Sequence, residues 1–193
     1  MAPQAVITAL EPADYRVMPW QNGGGLTTEI ASAKAPDGSL LWRASLADID
    51  RDGPFSMLPG IDRVQMVVEG PGIRLSIAGS APIALPPLAE PLAYPGDVPV
   101  DCSLIGGPVR AFNLMVGRGR GVGSLTLMKN GESRHFGGEA VHLVHSLDGD
   151  AHCRLPSASL TVPAEGTMIL ECVGVTVTAA EQARVIVASI LRQ

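Results

Sequence analysis

Apolar and polar positions along the chain alternate in short runs. Residues 72–77 change from apolar to polar at every step, which is the period of a half-buried β-strand. Longer apolar runs recur at 64–69, 109–116, 141–145, 167–173 and 185–191. A helix is compatible only with residues 44–50, which fit the end of a strand and a turn equally well. The pattern predicts an all-β sandwich or barrel.

Turn residues separate these runs and reveal a repeat. Pro-Asp-Gly-Ser at 36–39, Pro-Gly at 59–60 and Asn-Gly at 130–131 each supply a fixed or positive φ. The order of strand, tight glycine turn, strand and Pro-Gly turn occurs twice, about 75 to 80 residues apart. We therefore predict two copies of one β unit, residues 1–120 and 121–193, packed together and with strand exchange between them allowed.

Composition narrows the class of protein. The chain has 193 residues, of which 46% are hydrophobic and 17% charged, and this is typical of a globular protein. A net charge of -5 and the absence of a basic stripe argue against a nucleic-acid partner. No leader pattern and no apolar run of about 20 residues occurs, which argues against export and against a membrane partner. Three widely spaced cysteines favour reduced thiols, so we expect a cytoplasmic protein.

Polar residues that could form a functional site are most concentrated between residues 20 and 63. Three consecutive glycines at 23–25 fit either a tight turn or a close approach of backbone to a ligand, and the Lys-Ser/Thr of a phosphate loop does not follow them. A loop at 33–39 would join two strands in a hairpin and place Glu29 near Arg43. On a wet surface this pair would contribute little, whereas inside a barrel Arg43 could hold a carboxylate with two hydrogen bonds. The local sequence leaves both options open.

The four histidines argue against a metal site. The repeated order of strands and turns resembles the order within each barrel of a cupin. A cupin metal site needs two histidines two residues apart on one strand face, a carboxylate soon after them, and a third histidine in a second motif. The first half of this chain has no histidine, and His142 and His145, three apart, face opposite ways on a regular strand. We predict that the protein holds no metal and uses no cofactor.

Several motifs occur in an order that resembles one family. They are WQNGGGLTTEI at 20–30, WRAS at 42–45, DGPFSxxPGxDR at 52–63, VEG at 68–70 and FNLM at 112–115. Together they resemble the HutD/Ves family, over residues 5 to beyond 118. The resemblance implies an RmlC-like bicupin, which is a double-stranded β-helix (cupin or jelly roll) present twice in one chain.

The resemblance also implies a ligand pocket in the first barrel. Its lining would comprise Trp20, Asn22, Gly23, Thr27, Glu29, Arg43, Ser45, Phe55, Ser56, Arg63 and Asn113. In this interpretation the two arginines attract an anion, the amides and Ser56 donate hydrogen bonds, and the two aromatic rings form apolar walls. Glu29 would orient Arg43 or accept a ligand N–H.

Two positions depart from the family pattern. The family has Asp before the FNLM motif and an Arg-Arg pair after it, where this chain has Ala111 and Gly117-Arg118. If the missing Asp and Arg paired with each other in relatives, their joint loss is structural. If either contacted ligand, specificity here differs.

Members of the family are associated with bacterial histidine utilisation. We accordingly predict a regulatory protein that binds a small anionic metabolite such as urocanate or formylglutamate, and that acts as a monomer or a homodimer. Two alternatives from other classes stay open. One is a cofactor-free isomerase, epimerase or hydrolase with Glu29 or a histidine as base. The other is a protein-interaction module with a filled pocket.

Overall fold

The computed structural model describes residues 5–20 and 25–192, which form nineteen β-strands and one 3-10 helix of three residues. The chain divides into two compact units. Residues 16–123 form the N-terminal unit, and residues 124–192 form the C-terminal unit together with the segment up to Tyr15. The prediction of an all-β protein is confirmed. None of the described residues forms a helix with the length and apolar character needed to cross a membrane.

The N-terminal unit consists of two antiparallel sheets. Its strands are β2 (Arg16–Pro19), β3 (Gly25–Lys34), β4 (Leu40–Ile49), β5 (Gly53–Pro54), β6 (Ile61–Glu69), β7 (Ile73–Ile77), β8 (Ile83–Leu85), β9 (Leu92–Pro95), β10 (Val100–Leu104) and β11 (Val109–Gly117). The six-stranded sheet has the order β2-β3-β4-β11-β6-β9, and the four-stranded sheet has the order β5-β10-β7-β8. Apolar side chains of both sheets form one core, which includes Ile49, Ile73, Leu75 and Val109.

The C-terminal unit repeats this plan. Its strands are β1 (Val6–Leu10), the second part of β12 (Gly121–Lys129), β13 (Ser133–Phe136), β14 (Ala140–Asp148), β15 (Ala151–Arg154), β16 (Ser159–Val162), β17 (Thr167–Glu171), β18 (Val175–Ala179) and β19 (Arg184–Arg192). The 3-10 helix Pro12–Asp14 follows β1. The sheet orders are β1-β17-β14-β19-β12 and β13-β18-β15-β16. The first strand of the chain therefore pairs with β17, which lies in the last 30 residues of the sequence.

Matching strand orders show that the two units are built alike. The order β10-β7-β8 recurs as β18-β15-β16, and β11-β6-β9 recurs as β19-β14-β17. Paired antiparallel sheets that face a common core are consistent with a double-stranded β-helix.

Residues 44–50 form no helix, so the helical interpretation is wrong and the interpretation as the end of a strand is confirmed. Residues 44–49 belong to β4, which pairs with β3 on one side and β11 on the other. This segment is extended and not helical, because its backbone is paired with a neighbouring strand on both sides. Local helix preference is a weak term beside such tertiary pairing.

The predicted pairing of Glu29 with Arg43 is also wrong. Glu29 lies opposite Ser45, and Arg43 lies opposite Ser32. The loop of the hairpin spans residues 35–39 and not 33–39, so its centre lies one residue later and the partner of Glu29 moves by two positions. Two irregularities, between Glu29 and Ala31 and between Ala33 and Lys34, shift the register by one residue in opposite directions and cancel at Glu29.

Gly25 occupies a place where the backbones of β3 and β4 approach closely. A Cβ at this position would overlap the carbonyl oxygen of Asp48, a backbone atom that cannot rotate away. We expect Gly25→Ala to lower the free energy of unfolding by about 1–3 kcal/mol, the usual range for overpacking. Urea denaturation measures this change, with Val122→Ala as an exposed control. A change below about 0.5 kcal/mol would mean that the strands separate easily here.

Candidate functional site

A cavity of about 430 Å³ opens on one face of the six-stranded sheet. Strands β3, β4, β6 and β11 form its floor, and β5 with the segment after it forms one side. Its volume falls within the range of small-molecule sites. It is lined by Trp20, Thr27, Arg43, Ser45, Ala47, Ile49, Pro54, Phe55, Ser56, Leu58, Arg63, Gln65, Asn113 and Met115.

Strand alternation arranges the polar floor of the cavity in two rows. Asn113 on β11 lies between Ser45 of β4 and Gln65 of β6. Two residues further along β11, a second row places Met115 between Arg43 and Arg63. Neighbouring strands are about 5 Å apart, so the two arginine Cα atoms are about 10 Å apart. Arg43 and Arg63 thus line the same small cavity.

Arg63 is a cation buried among aromatic rings. Its side chain is only 7% exposed, and its guanidinium carbon lies 5.2 Å from the ring centre of Phe55 and 5.1 Å from that of Tyr94. It donates one hydrogen bond, of 3.2 Å, to Asn113 Oδ1. Burial lowers the pKa of Arg63, the Tyr94 hydroxyl opposes this shift, and the charge of Arg43 adds to it. The group stays positive because an arginine pKa begins far above neutrality.

Arg43 is half-buried and makes a weak contact. Its Nη2 donates to the thioether sulfur of Met115 at 3.0 Å, a poor acceptor compared with an oxygen. The structure shows no ion pair for Arg43 or Arg63 within the described ranges, whereas the part-buried Arg110 and the exposed Arg118 pair with aspartates. The two cavity arginines therefore keep their charge available.

Unsatisfied donors converge on this cavity. Within residues 5–20 and 25–192, three buried side-chain polar atoms lack a hydrogen-bond partner: Arg43 Nε, Arg63 Nε and Gln65 Nε2. All three residues line the cavity, and all three atoms are N–H donors. None of the described residues that line it is acidic. Buried donors are normally satisfied, so this cluster indicates a site that an external acceptor completes.

An aromatic pair forms the apolar side of the cavity. The rings of Trp20 and Phe55 meet edge to face, with centroids 6.2 Å apart and planes at 87°. Trp20 Nε1 donates to Thr27 Oγ1 at 2.8 Å, which fixes the indole over β3. The cavity thus combines a cationic, donor-rich floor with a flat apolar wall.

Eight of the eleven residues singled out in the sequence line this cavity: Trp20, Thr27, Arg43, Ser45, Phe55, Ser56, Arg63 and Asn113. Asn22 and Gly23 lie outside the described residues. Glu29 does not line the cavity; its carboxylate accepts a hydrogen bond of 3.1 Å from Ser32 Oγ. Whether these residues bind a ligand stays a prediction.

The sequence analysis did not identify Gln65 and Tyr94 as site residues. Gln65 is fully buried within β6, and its Oε1 accepts a 2.6 Å hydrogen bond from the hydroxyl of Tyr94. The sequence carried one usable signal, because Gln65 lies two residues after Arg63 and therefore on the same strand face. Tyr94 gave none, since its role depends on the pairing of β6 with β9.

The histidines lie elsewhere and have separate partners. His142 donates from Nε2 to the Gly137 carbonyl at 2.6 Å, and its Nδ1 lies 2.8 Å from Ser189 Oγ. His145 Nδ1 lies 2.9 Å from Thr167 Oγ1. The described ranges contain no group of three His, Cys, Asp or Glu side chains placed to hold a metal.

The two departures from the family pattern have local explanations. Ala111 is fully buried in the core of the N-terminal unit, opposite Ala47 and Val67. Gly117 has no room for a side chain, because a Cβ there would overlap the carbonyl oxygen of Leu40. Arg118 instead forms ion pairs with Asp62 and Asp97, at 2.8 and 2.5 Å.

Two curated proteins are similar to part of the chain. An uncharacterized 21.2 kDa protein of the hutC 3' region of Pseudomonas putida is 43% identical over 108 residues, which cover 55% of this chain and 56% of that protein. Protein Ves of Escherichia fergusonii is 36% identical over 110 residues, covering 55% of this chain and 57% of Ves. The alignments span about half the length of these relatives.

Solved structures match over nearly the whole chain. HutD from Pseudomonas fluorescens SBW25 has a TM-score of 0.78 at 29% identity, covering 96% of this chain and 99% of that one. At 7% identity, an oxalate decarboxylase of Bacillus subtilis, a cupin, shares the fold alone, with a TM-score of 0.68 over 95% of this chain and 77% of that one. The HutD family model matches residues 12–187, so this chain belongs to the HutD family.

Proposed function

We propose that the protein binds a small carboxylate metabolite in the cavity of its N-terminal unit and acts as a metal-independent accessory protein of histidine utilisation. The chain belongs to a family linked to the histidine-utilisation locus. We further propose that its two units form a bicupin, in which the N-terminal unit carries this site.

One observation carries the binding proposal. The three unsatisfied buried donors, on Arg43, Arg63 and Gln65, all belong to the lining of one cavity. A carboxylate supplies two oxygens with about four acceptor positions and a negative charge, so it can satisfy all three donors at once. The Trp20 and Phe55 rings then suit a flat, largely apolar body such as an imidazole-acrylate.

No observation favours the enzymatic alternative. Its candidate base, Glu29, does not line the cavity and holds Ser32 instead. The four histidines occupy positions 135–152, in the C-terminal unit, and none lines the cavity. A base must reach the proton that it abstracts, either directly or through one water.

Thermal unfolding tests binding with urocanate, N-formylglutamate and N-formiminoglutamate. A ligand at about 100 times its Kd stabilises the folded state by about 2.7 kcal/mol, so we expect at least one to raise the Tm by roughly 5 °C. Histamine, a cationic imidazole of similar size, is the control and is expected to give no shift. Equal shifts with histamine, or no shift with any of the three carboxylates at millimolar concentration, would contradict the proposal.

A further inference from the structure

The side-chain amide of Gln65 has two chemically opposite ends, and they face different surroundings. Its oxygen accepts a hydrogen bond from the Tyr94 hydroxyl at 2.6 Å. Its nitrogen is buried and lacks a partner in the described part of the chain, although the residue lines the cavity. A half-turn of the amide would exchange the two ends, so the hydroxyl of Tyr94 decides which end the cavity receives.

Tyr94 itself is held firmly as a donor. Its side chain is only 5% exposed, and its ring lies against the guanidinium of Arg63, its cross-strand neighbour. Burial raises the pKa of Tyr94 to about 12, so the hydroxyl keeps its proton throughout the neutral range. A neutral hydroxyl can donate or accept, but its hydrogen-bond partner in the described part of the chain is Gln65, so a turned amide would leave the hydroxyl proton without an acceptor. The oxygen of Gln65 therefore faces Tyr94, which leaves the NH₂ group for the cavity.

The other amide on the cavity floor has no free end of this kind. Asn113 accepts a hydrogen bond from Arg63 with its oxygen, and its nitrogen lies 3.5 Å from the Ala111 carbonyl oxygen. Gln65 is thus the floor amide whose orientation decides the polarity of the site. With its NH₂ group inward, every unsatisfied group on the floor is a donor.

We propose that Tyr94 is a positioning residue that fixes Gln65 as a donor, and that it thereby makes the cavity select a carboxylate over the carboxamide of the same shape. This inference rests on the proposed function. A carboxamide would turn an NH₂ group toward a donor, and both groups would stay unsatisfied in a buried place. Sites built in this way reject such analogues far more strongly than shape alone allows.

The test compares urocanate with urocanamide by isothermal titration. For the natural protein we expect a preference for urocanate of roughly 100-fold or more. Tyr94→Phe keeps the ring beneath Arg63 but removes the donor, so the preference is expected to fall by about 10-fold or more, mainly through tighter amide binding. Tyr15→Phe, which removes a hydroxyl in the C-terminal unit, is the matched control and keeps the preference.

A double-mutant cycle separates positioning from general damage. If Tyr94 acts through Gln65, then Tyr94→Phe changes the preference in the natural background and leaves it unchanged in a Gln65→Leu background. An unchanged preference in folded Tyr94→Phe protein, or the same reduction in both backgrounds, would overturn the inference and leave the proposed function intact. Failure of the natural protein to bind either compound would overturn both.

Discussion

Replacing Arg63 with methionine is expected to weaken carboxylate binding by about 10- to 100-fold and, at the same time, to stabilise the protein. The variant removes a buried cation that lacks an ion pair in the described structure and that sits beside a second positive charge, Arg43. An apolar side chain of similar length avoids the desolvation cost of that cation. The thioether of methionine can also keep favourable contacts with the rings of Phe55 and Tyr94.

Both effects have expected sizes. Arg63 Nε provides one charge-assisted hydrogen bond of about 1.5–3 kcal/mol to the proposed ligand, so affinity for urocanate is expected to fall by about 10- to 100-fold. The variant also loses the hydrogen bond to Asn113 Oδ1, but relief of the buried charge outweighs this loss. We expect the free energy of unfolding to rise by about 1 kcal/mol, which corresponds to roughly 2–4 °C in Tm for a chain of this size.

Titration calorimetry and thermal unfolding of the Arg63→Met protein measure the two effects separately. Arg74→Met is the control, because Arg74 is an exposed arginine on β7 and does not line the cavity. A lower Tm together with lost binding would assign Arg63 a structural role. Retained binding would remove it from the site.

Acidification from pH 7 to pH 4 is expected to cost the protein about 3 kcal/mol of stability through His145. The ring is only 2% exposed, and burial lowers its pKa from the ordinary 6.5 to about 4, although a hydrogen bond with the Gly166 backbone opposes the shift. The unfolded chain takes up a proton below pH 6.5, and the folded chain does so only near pH 4. Between these values the unfolded state binds more protons, so stability falls as the pH falls.

The neighbouring groups do not reverse this sign. His145 contacts the Thr167 hydroxyl, which also lies 2.7 Å from the hydroxyl of Tyr15, and burial raises the pKa of Tyr15. Both hydroxyl groups stay neutral over this pH range. Burial also lowers the pKa of His142, so that histidine changes stability in the same direction.

Urea denaturation at a series of pH values measures the effect. His145→Asn is expected to flatten the slope between pH 6.5 and pH 4, whereas His152→Asn, which removes an exposed histidine, is expected to leave it in place. Equal slopes for the natural protein and His145→Asn would show that His145 is not the group responsible.

Much of the fold was predictable because alternation is a strong local signal. The runs at 64–69, 72–77 and 109–116 coincide with β6, β7 and β11. The register of β3 against β4 was not predictable, because the sequence does not mark the end of β3, which continues to Lys34 beyond the predicted start of the loop at residue 33. Moving the centre of a hairpin loop by one residue moves every cross-strand pair by two positions.

Only those residues of the candidate site that belong to a sequence motif could be predicted. Arg63 and Asn113 stand in motifs, and the structure brings them within hydrogen-bond distance although 50 positions separate them. Gln65 lies in a run that otherwise contains mostly apolar residues, so it resembles an isolated polar residue in a buried strand. Its importance emerges only when β11 and β9 are placed on either side of β6.

The pairing of β1 with β17 also affects the order in which the parts of the chain can fold during translation. Residues 6–10 leave the ribosome long before residues 167–171, to which their backbone binds. The strands of the N-terminal unit are all present once residue 123 has emerged, so this unit can fold while translation continues. β1 is made before every strand of the N-terminal unit and is thus among the last to find its partner, and until then it stays an unpaired edge that chaperones and proteases can reach.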